Sequence, residues 1–201
     1  MVPLHLTLYY KMKYKIKTDT AQIPVSVAEL KHYLRVVSDD VAQDTLIRSL
    51  IVAATKTIET EAHISVLDRV YTYFFNDFTS EELLITLKPA SSVDAVRYYD
   101  GENELQTLGT SVYEADIIKY RAMVLLKSGQ SFPATYPKNN AVEIDVTIGF
   151  GAIAVDVPED LRLAIKMLAA HWFDNRGLIG DEKSIPMGIQ RIISLNRNLG
   201  I

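Results

Sequence analysis

Four histidines, His5, His32, His63 and His171, are the first residues to test for metal or acid–base chemistry. No two are four residues apart and no HExxH occurs, so the pair of imidazoles that a zinc site of that type takes from one helix face is missing. Each therefore reads as structural, with His171, beside Trp172, placed to hydrogen-bond across a helical layer. Carboxylates are paired at Asp39/Asp40, Glu81/Glu82 and Glu159/Asp160. Adjacent residues on a helix do not converge on one substrate, and two of these pairs stand where helix N-termini favour acids. There is no GxSxG elbow, no GxxxxGK[ST] loop and no GxGxxG turn; Gly149-Phe150-Gly151 reads as a strand end that permits a bend. The absence of cysteine removes thiol nucleophiles, thiolate metal sites and disulfides together. The sequence thus predicts no catalytic residue, no metal site and no cofactor, and the chain reads as a non-enzyme.

The remaining chemistry is a row of cations. Lys11, Lys13, Lys15 and Lys17 alternate along the chain near Tyr9, Tyr10 and Tyr14. Lysine beside tyrosine can pair with phosphates and stack on bases, so this row is the one candidate for direct DNA binding. The same alternation also describes any solvated strand. From Leu4 to Lys17 the period is two, with Leu4, Leu6, Leu8, Tyr10, Met12, Tyr14 and Ile16 on one side and the lysines on the other. Lysines on one face keep an edge strand from indiscriminate pairing. The segment is therefore either an edge strand of the chain's own sheet or an arm that pairs with a neighbouring subunit. Lys+Arg 21 against Asp+Glu 25 leaves a net charge of −4, which supplies no global field for nucleic acid or an anionic membrane.

These residues must be positioned by a real core. The 201 residues are 48% hydrophobic and 23% charged, the balance of a folded globular chain. No apolar run approaches the ~18–20 residues that span a bilayer. Lys11 to Lys17 follow Leu4, Leu6 and Leu8, the reverse of a signal peptide, which predicts a non-exported chain without a membrane partner. Ser26 followed by Glu29 is a capping box that opens a helix to about Val36. Ser38-Asp39-Asp40 offers the next cap, and Leu46, Ile47, Leu50, Ile51, Ala54 and Ile58 form the buried stripe of a helix over 41–62.

Beyond Ser65 the signal turns to strands: Val70–Phe75, Leu83–Leu87, Val93–Tyr99, Glu104–Leu108 after the Asp100-Gly101 turn, Ile117–Leu126 and Val142–Phe150. In the last, Val142, Ile144, Val146 and Ile148 face the core while Glu143, Asp145 and Thr147 face water. Asp156 to Asp160 opens a helix in which Leu161, Ala164, Ile165, Leu168 and Trp172 form one apolar face down to Arg176, where Gly177 stops it. After Ile185-Pro186-Met187-Gly188, the spacing of Ile189, Ile192, Ile193 and Leu195 predicts a short amphipathic helix that leaves the body of the fold. The fold class expected is α+β. A helical layer occupies 23–64 and 156–178, with Leu30, Leu34, Leu46, Leu50, Leu161, Ile165, Leu168 and Trp172 in its core. An antiparallel β-region is inserted at 65–155, a strand or arm precedes at 1–22, and a tail follows at 179–201.

Three separated stretches carry a resemblance: Val25-Ser26-Val27-Ala28-Glu29-Leu30-Lys31-His32-Tyr33-Leu34-Arg35, then Pro158-Glu159-Asp160-Leu161-Arg162 through His171-Trp172-Phe173-Asp174-Asn175-Arg176, then Ile185-Pro186-Met187-Gly188-Ile189. In order and spacing they resemble the head–tail connector, or adaptor, proteins of tailed phages, also known as phage DNA-packaging proteins. The first twenty residues have no counterpart, and Asp174 and Gly177 depart from the pattern. The resemblance implies a structural virion protein, made in the bacterial cytoplasm. About twelve copies would form a ring under the portal protein ring, extend the DNA channel and receive a stopper or tail-completion protein. It also implies that the C-terminal segment reaches the portal, through Ile185, Pro186, Met187, Gly188, Ile189, Ile192, Ile193, Leu195 and a basic residue such as Arg197. The rival class is a DNA-binding packaging accessory that uses Lys11, Lys13, Lys15 and Lys17.

Overall fold

The computed structural model describes residues 13–37, 41–78, 82–118, 121–175 and 185–197. Lys11, the Ser38-Asp39-Asp40 cap, Glu81 and the stop at Arg176 and Gly177 lie outside the described residues. Within the described residues the chain has four α-helices and two antiparallel sheets, an α+β fold. It divides into two compact units, one of strand β1 (Lys13–Thr18) with Asp68–Gly149, the other of Ala21–Leu67 with the chain from Phe150 onward.

The first unit contains β2 (Arg69–Phe75), β3 (Glu82–Leu84), β4 (Ala90–Tyr99), β5 (Leu105–Thr107), β6 (Tyr113–Ile118), β7 (Arg121–Leu126) and β8 (Val142–Ile148). A five-stranded sheet runs β1-β2-β8-β4-β5 and a three-stranded sheet runs β3-β7-β6. Period-two alternation puts Val142, Ile144, Val146 and Ile148 of the central strand β8 on one face, fully buried. They share a core with Tyr71, Tyr73 and Val96 of the same sheet and with Leu83, Tyr113, Ala122 and Val124 of the other. Tyr73 is fully buried, and its hydroxyl accepts the Leu87 N–H at 3.0 Å. Burial pushes that phenol up to about 12.

β1 pairs antiparallel with β2, Lys13 opposite Phe74 and Lys15 opposite Thr72, so here it is an edge strand of the chain's own sheet. The single strand expected over Ile117–Leu126 is instead a hairpin of β6 and β7 in which Ile118 pairs with Arg121. In the sequence, Lys119-Tyr120 between the two strands has none of the Gly, Asn or Asp that marks a tight turn, so the sequence pattern reads straight through.

The second unit contains α1 (Val27–Leu34), α2 (Asp44–Ala62), α3 (Glu159–Asp174) and α4 (Met187–Arg197). Its core holds Leu30 of α1, then Ile47, Ile51, Ala54 and Ile58 of α2, and Leu161, Ala164, Ile165, Leu168 and Phe173 of α3. Leu34, Leu50 and Trp172 pack half-buried against it. Leu46 departs from expectation and is 38% exposed. One residue turns a helix by about 100°, and the stripe centred on Ile47 and Ile51 leaves Leu46 at its margin.

α4 also departs from expectation, because it does not leave the helical unit. It packs on α2 and α3, burying Ile189 and Ile193, one turn apart on the same face. An apolar stripe on so short a helix is unstable in water, and the exposed side of α2 and α3 offers it cover.

The register of α2 yields a contrast. Ile47→Ala should cost about 2–5 kcal/mol in urea unfolding and Leu46→Ala about 0.5 kcal/mol, because only the first opens a cavity.

Candidate functional site

Among the described residues, no three histidines, aspartates or glutamates come together in a way that would hold a metal ion. None of the described helices is long and apolar enough to cross a membrane. His171 does not reach across the helical layer. Its Nδ1 lies 3.2 Å from Asn175 Nδ2, which also donates to the His171 carbonyl at 2.8 Å, so the ring is engaged one turn along its own helix. Among the described residues, two charged clusters join separate elements, one in each unit.

In the helical unit the cluster lies where α1 and α3 begin. Ser26 and Glu29 close the capping box: the Ser26 N–H donates to Glu29 Oε2 at 2.8 Å and the Glu29 N–H donates to Ser26 Oγ at 3.1 Å. The other Glu29 oxygen accepts from Arg162 Nη2. Arg162 also binds Glu159 through Nη1 and donates through Nε to the Pro24 carbonyl at 3.2 Å. Burial raises the Glu29 carboxyl, but the Ser26 hydrogen bonds and the Arg162 charge outweigh it and hold the group below the usual carboxylate range. Lys31, buried on α1, pairs with Asp44 in the first turn of α2. Asn196 of α4 donates to Asp160 at 3.0 Å, and Arg197 Nε donates to the Glu61 carbonyl at 2.8 Å. The Glu159/Asp160 pair is thus spent on Arg162 and Asn196, which is structural work.

In the β unit the cluster lies on the face of the five-stranded sheet that was expected to be wet. Asp145, in the central strand, is 2% exposed. Thr72 Oγ1 donates to it at 2.7 Å, Lys17 Nζ at 2.5 Å and Arg97 Nη1 at 2.7 Å, while Arg97 Nη2 reaches Glu143 at 3.2 Å. Long cationic side chains from β1 and β4 lie over the middle of the sheet and bury the carboxylate. Burial alone would raise its pKa, but the bonds from Arg97, Lys17 and Thr72 together bring it below the ordinary value.

The lysine row is consequently only partly open. Lys13, Lys15 and Lys17 are all exposed, yet Lys17 is engaged with Asp145 and Lys15 Nζ lies 5.2 Å from the centre of the Phe74 ring. Of the C-terminal candidates, Ile189 and Ile193 are buried, while Ile185, Pro186 and Ile192 are half-buried. Met187 at 86%, Leu195 at 55%, Gly188 and Arg197 face outward. Sequence pattern alone missed Arg162, Arg97 and the burial of Asp145. The one visible hint was Glu159 three residues before Arg162.

The model of the head completion protein family matches residues 24–199, and the chain belongs to that family. Solved structures share the fold, three of them as follows. A chain in "Neck of empty GTA particle computed with C6 symmetry" is 24% identical with a TM-score of 0.78, covering 94% of this chain and 97% of that one. A chain in "Virion of native gene transfer agent (GTA) particle" is 23% identical with a TM-score of 0.75, covering 94% and 96%. A chain in "Neck of native GTA particle computed with C12 symmetry" is 22% identical with a TM-score of 0.71, covering 94% and 97%. No curated protein matches the sequence.

The Asp145 cluster carries a pH dependence. A carboxyl whose folded pKa is depressed contributes stability that is present above its unfolded value of about 3.9 and lost as pH falls through the folded value. Asp145→Asn should therefore lower stability at pH 7 by about 3 kcal/mol and flatten the acid limb of a Tm-against-pH profile.

Proposed function

We propose that this protein is the adaptor of a head–tail junction: copies assemble as a ring beneath the portal protein ring, extend the DNA channel and receive the stopper or tail-completion protein. The observation that carries this reading is the family match over 24–199, which takes in the capping-box helix, the Arg162 helix and the C-terminal helix in one order. The fold likeness to chains in necks computed with C6 and C12 symmetry supports a ring of about twelve copies. A net charge of −4 per chain makes such a ring acidic, which suits a channel through which DNA slides without adhering. The role is structural and non-enzymatic, and the working location is the virion neck, after synthesis in the bacterial cytoplasm.

The portal contact falls on the outward side of α4. Ile189 and Ile193 hold the helix to its own unit and Arg197 is engaged with Glu61, which leaves Met187, Gly188 and Leu195 facing out to meet a partner. Residues 185–197 thus divide into an anchor and a contact face. Direct DNA binding through Lys11, Lys13, Lys15 and Lys17 has less support, because Lys17 is held by Asp145.

Native mass spectrometry of the protein mixed with the portal ring of the same particle tests the reading. Wild type should add about twelve copies to the portal mass. Met187→Asp combined with Leu195→Asp should abolish that increment while leaving Tm unchanged, because both side chains are solvent-facing in the free chain. An undiminished increment would remove α4 from the contact, and no increment for wild type would remove the adaptor reading.

A further inference from the structure

Each sheet of the β unit ends in a six-residue strand that is paired on one side only among the described residues: β1 in the five-stranded sheet and β6 in the three-stranded sheet. A strand of this kind presents a row of unused backbone donors and acceptors, and proteins either block that row or use it. The side chains on these two edges differ in charge. β1 reads Lys13-Tyr14-Lys15-Ile16-Lys17-Thr18 and is exposed along its whole length. β6 reads Tyr113-Glu114-Ala115-Asp116-Ile117-Ile118, with Glu114, Ala115, Ile117 and Ile118 exposed. Two adjacent isoleucines, 39% and 53% exposed, end the second strand. Isoleucine at consecutive strand positions points to opposite faces, so neither exposure is explained by a single buried side.

We propose that β1 of one copy pairs with β6 of the next, so that the ring is held by sheets continued from subunit to subunit. Complete antiparallel overlap places Lys15 opposite Asp116 on one face and Tyr14 opposite Ile117 and Ile16 opposite Ala115 on the other, and brings Lys17, at an irregularity of β1 between Ile16 and Thr18, beside Glu114. Complete parallel overlap instead sets each lysine against Tyr113, Ala115 or Ile117 and has no such match. Like edges lack such a match: complete antiparallel overlap of β1 on β1 sets Lys13, Lys15 and Lys17 against Thr18, Ile16 and Tyr14, and that of β6 on β6 sets Glu114 and Asp116 against Ile117 and Ala115, so neither gains an opposite-charge pair. The only charge-matched combination of the two is therefore heterologous, and a heterologous contact is the kind that closes into a ring. Lys17 keeps its bond to Asp145 in this arrangement, since an ammonium has three protons to donate.

The inference rests on the ring reading, and disulfide trapping separates the two. The chain has no cysteine, so Tyr14→Cys with Ile117→Cys introduces the only thiols. Directly opposed antiparallel residues lie within disulfide range. The double variant, assembled on the portal ring and oxidised, should run on denaturing gels as a ladder of covalent multimers. Each single variant should stay monomeric. In parallel, Lys15→Glu should weaken ring assembly at least about tenfold, and adding Asp116→Lys to it should restore assembly, which loss of the Lys15 contact with Phe74 cannot explain. A ring of normal mass that gives no ladder overturns the strand pairing and leaves the adaptor reading standing. Failure of wild type to assemble on the portal overturns both.

Discussion

The helical unit depends on one guanidinium. Arg162 has 13% of its side chain exposed and meets three partners: Glu29 on α1, Glu159 on its own helix and the carbonyl of Pro24 before α1. A helix of eight residues has almost no stability of its own, since nucleation costs more than so few hydrogen bonds return. α1 therefore exists because its capping box is closed at one end, Leu30 is buried in the middle, and its charged residues are tied to neighbours. Lys31 fixes it to the start of α2 and Glu29 to the start of α3. Asn196 attaches α4 to the same turn of α3 through Asp160. The N-termini of α1 and α3 and the C-terminal helix thus share a polar seam above an apolar core, while Lys31, in the last turn of α1, makes a separate tie to α2. The two sequence stretches that carry the resemblance, one at Ser26 and one at Pro158, are two halves of that seam.

The β unit solves a similar problem on a sheet. A buried carboxylate at the middle of β8 would be costly alone, but cross-strand neighbours supply Thr72, Arg97 and Lys17 as donors. Lys17 is also the tether that holds the edge strand β1 beyond its backbone bonds. With β1 so fixed, the outer edge keeps Lys13 and Lys15 in a defined alternation, which is what gives the edge a chemical identity. The division of labour in α4 is comparable: buried isoleucines set the helix, and Met187 and Leu195 remain for a partner.

Much of this was legible in the residues. The capping box at Ser26 and Glu29, the period-two run from Val142 to Ile148, and the 3.6-residue stripe of Leu161, Ala164, Ile165 and Leu168 each follow from local periodicity and appear as read. What periodicity cannot register is cover supplied from a distant part of the chain. Asp145 alternates like a solvent-facing residue and is buried because Lys17, 128 residues earlier, folds over it. The tail was legible as an amphipathic helix, but its destination depends on an apolar surface that α2 and α3 create only once packed. The β6–β7 hairpin escaped because its turn lacks the usual residues, and Leu46 because a stripe six residues deep has margins. The family was legible for a different reason: motif order along the chain is a property of the sequence itself.

Glu29 and Arg162 couple α1 to α3, and a double-mutant cycle measures that coupling directly. Unfolding free energies of wild type, Glu29→Gln, Arg162→Met and the double variant should give a coupling of about 0.5–1.5 kcal/mol, that of a partly buried, hydrogen-bonded ion pair. Single costs that add to the double within about 0.3 kcal/mol would contradict it, and would leave α1 and α3 joined by their apolar faces alone.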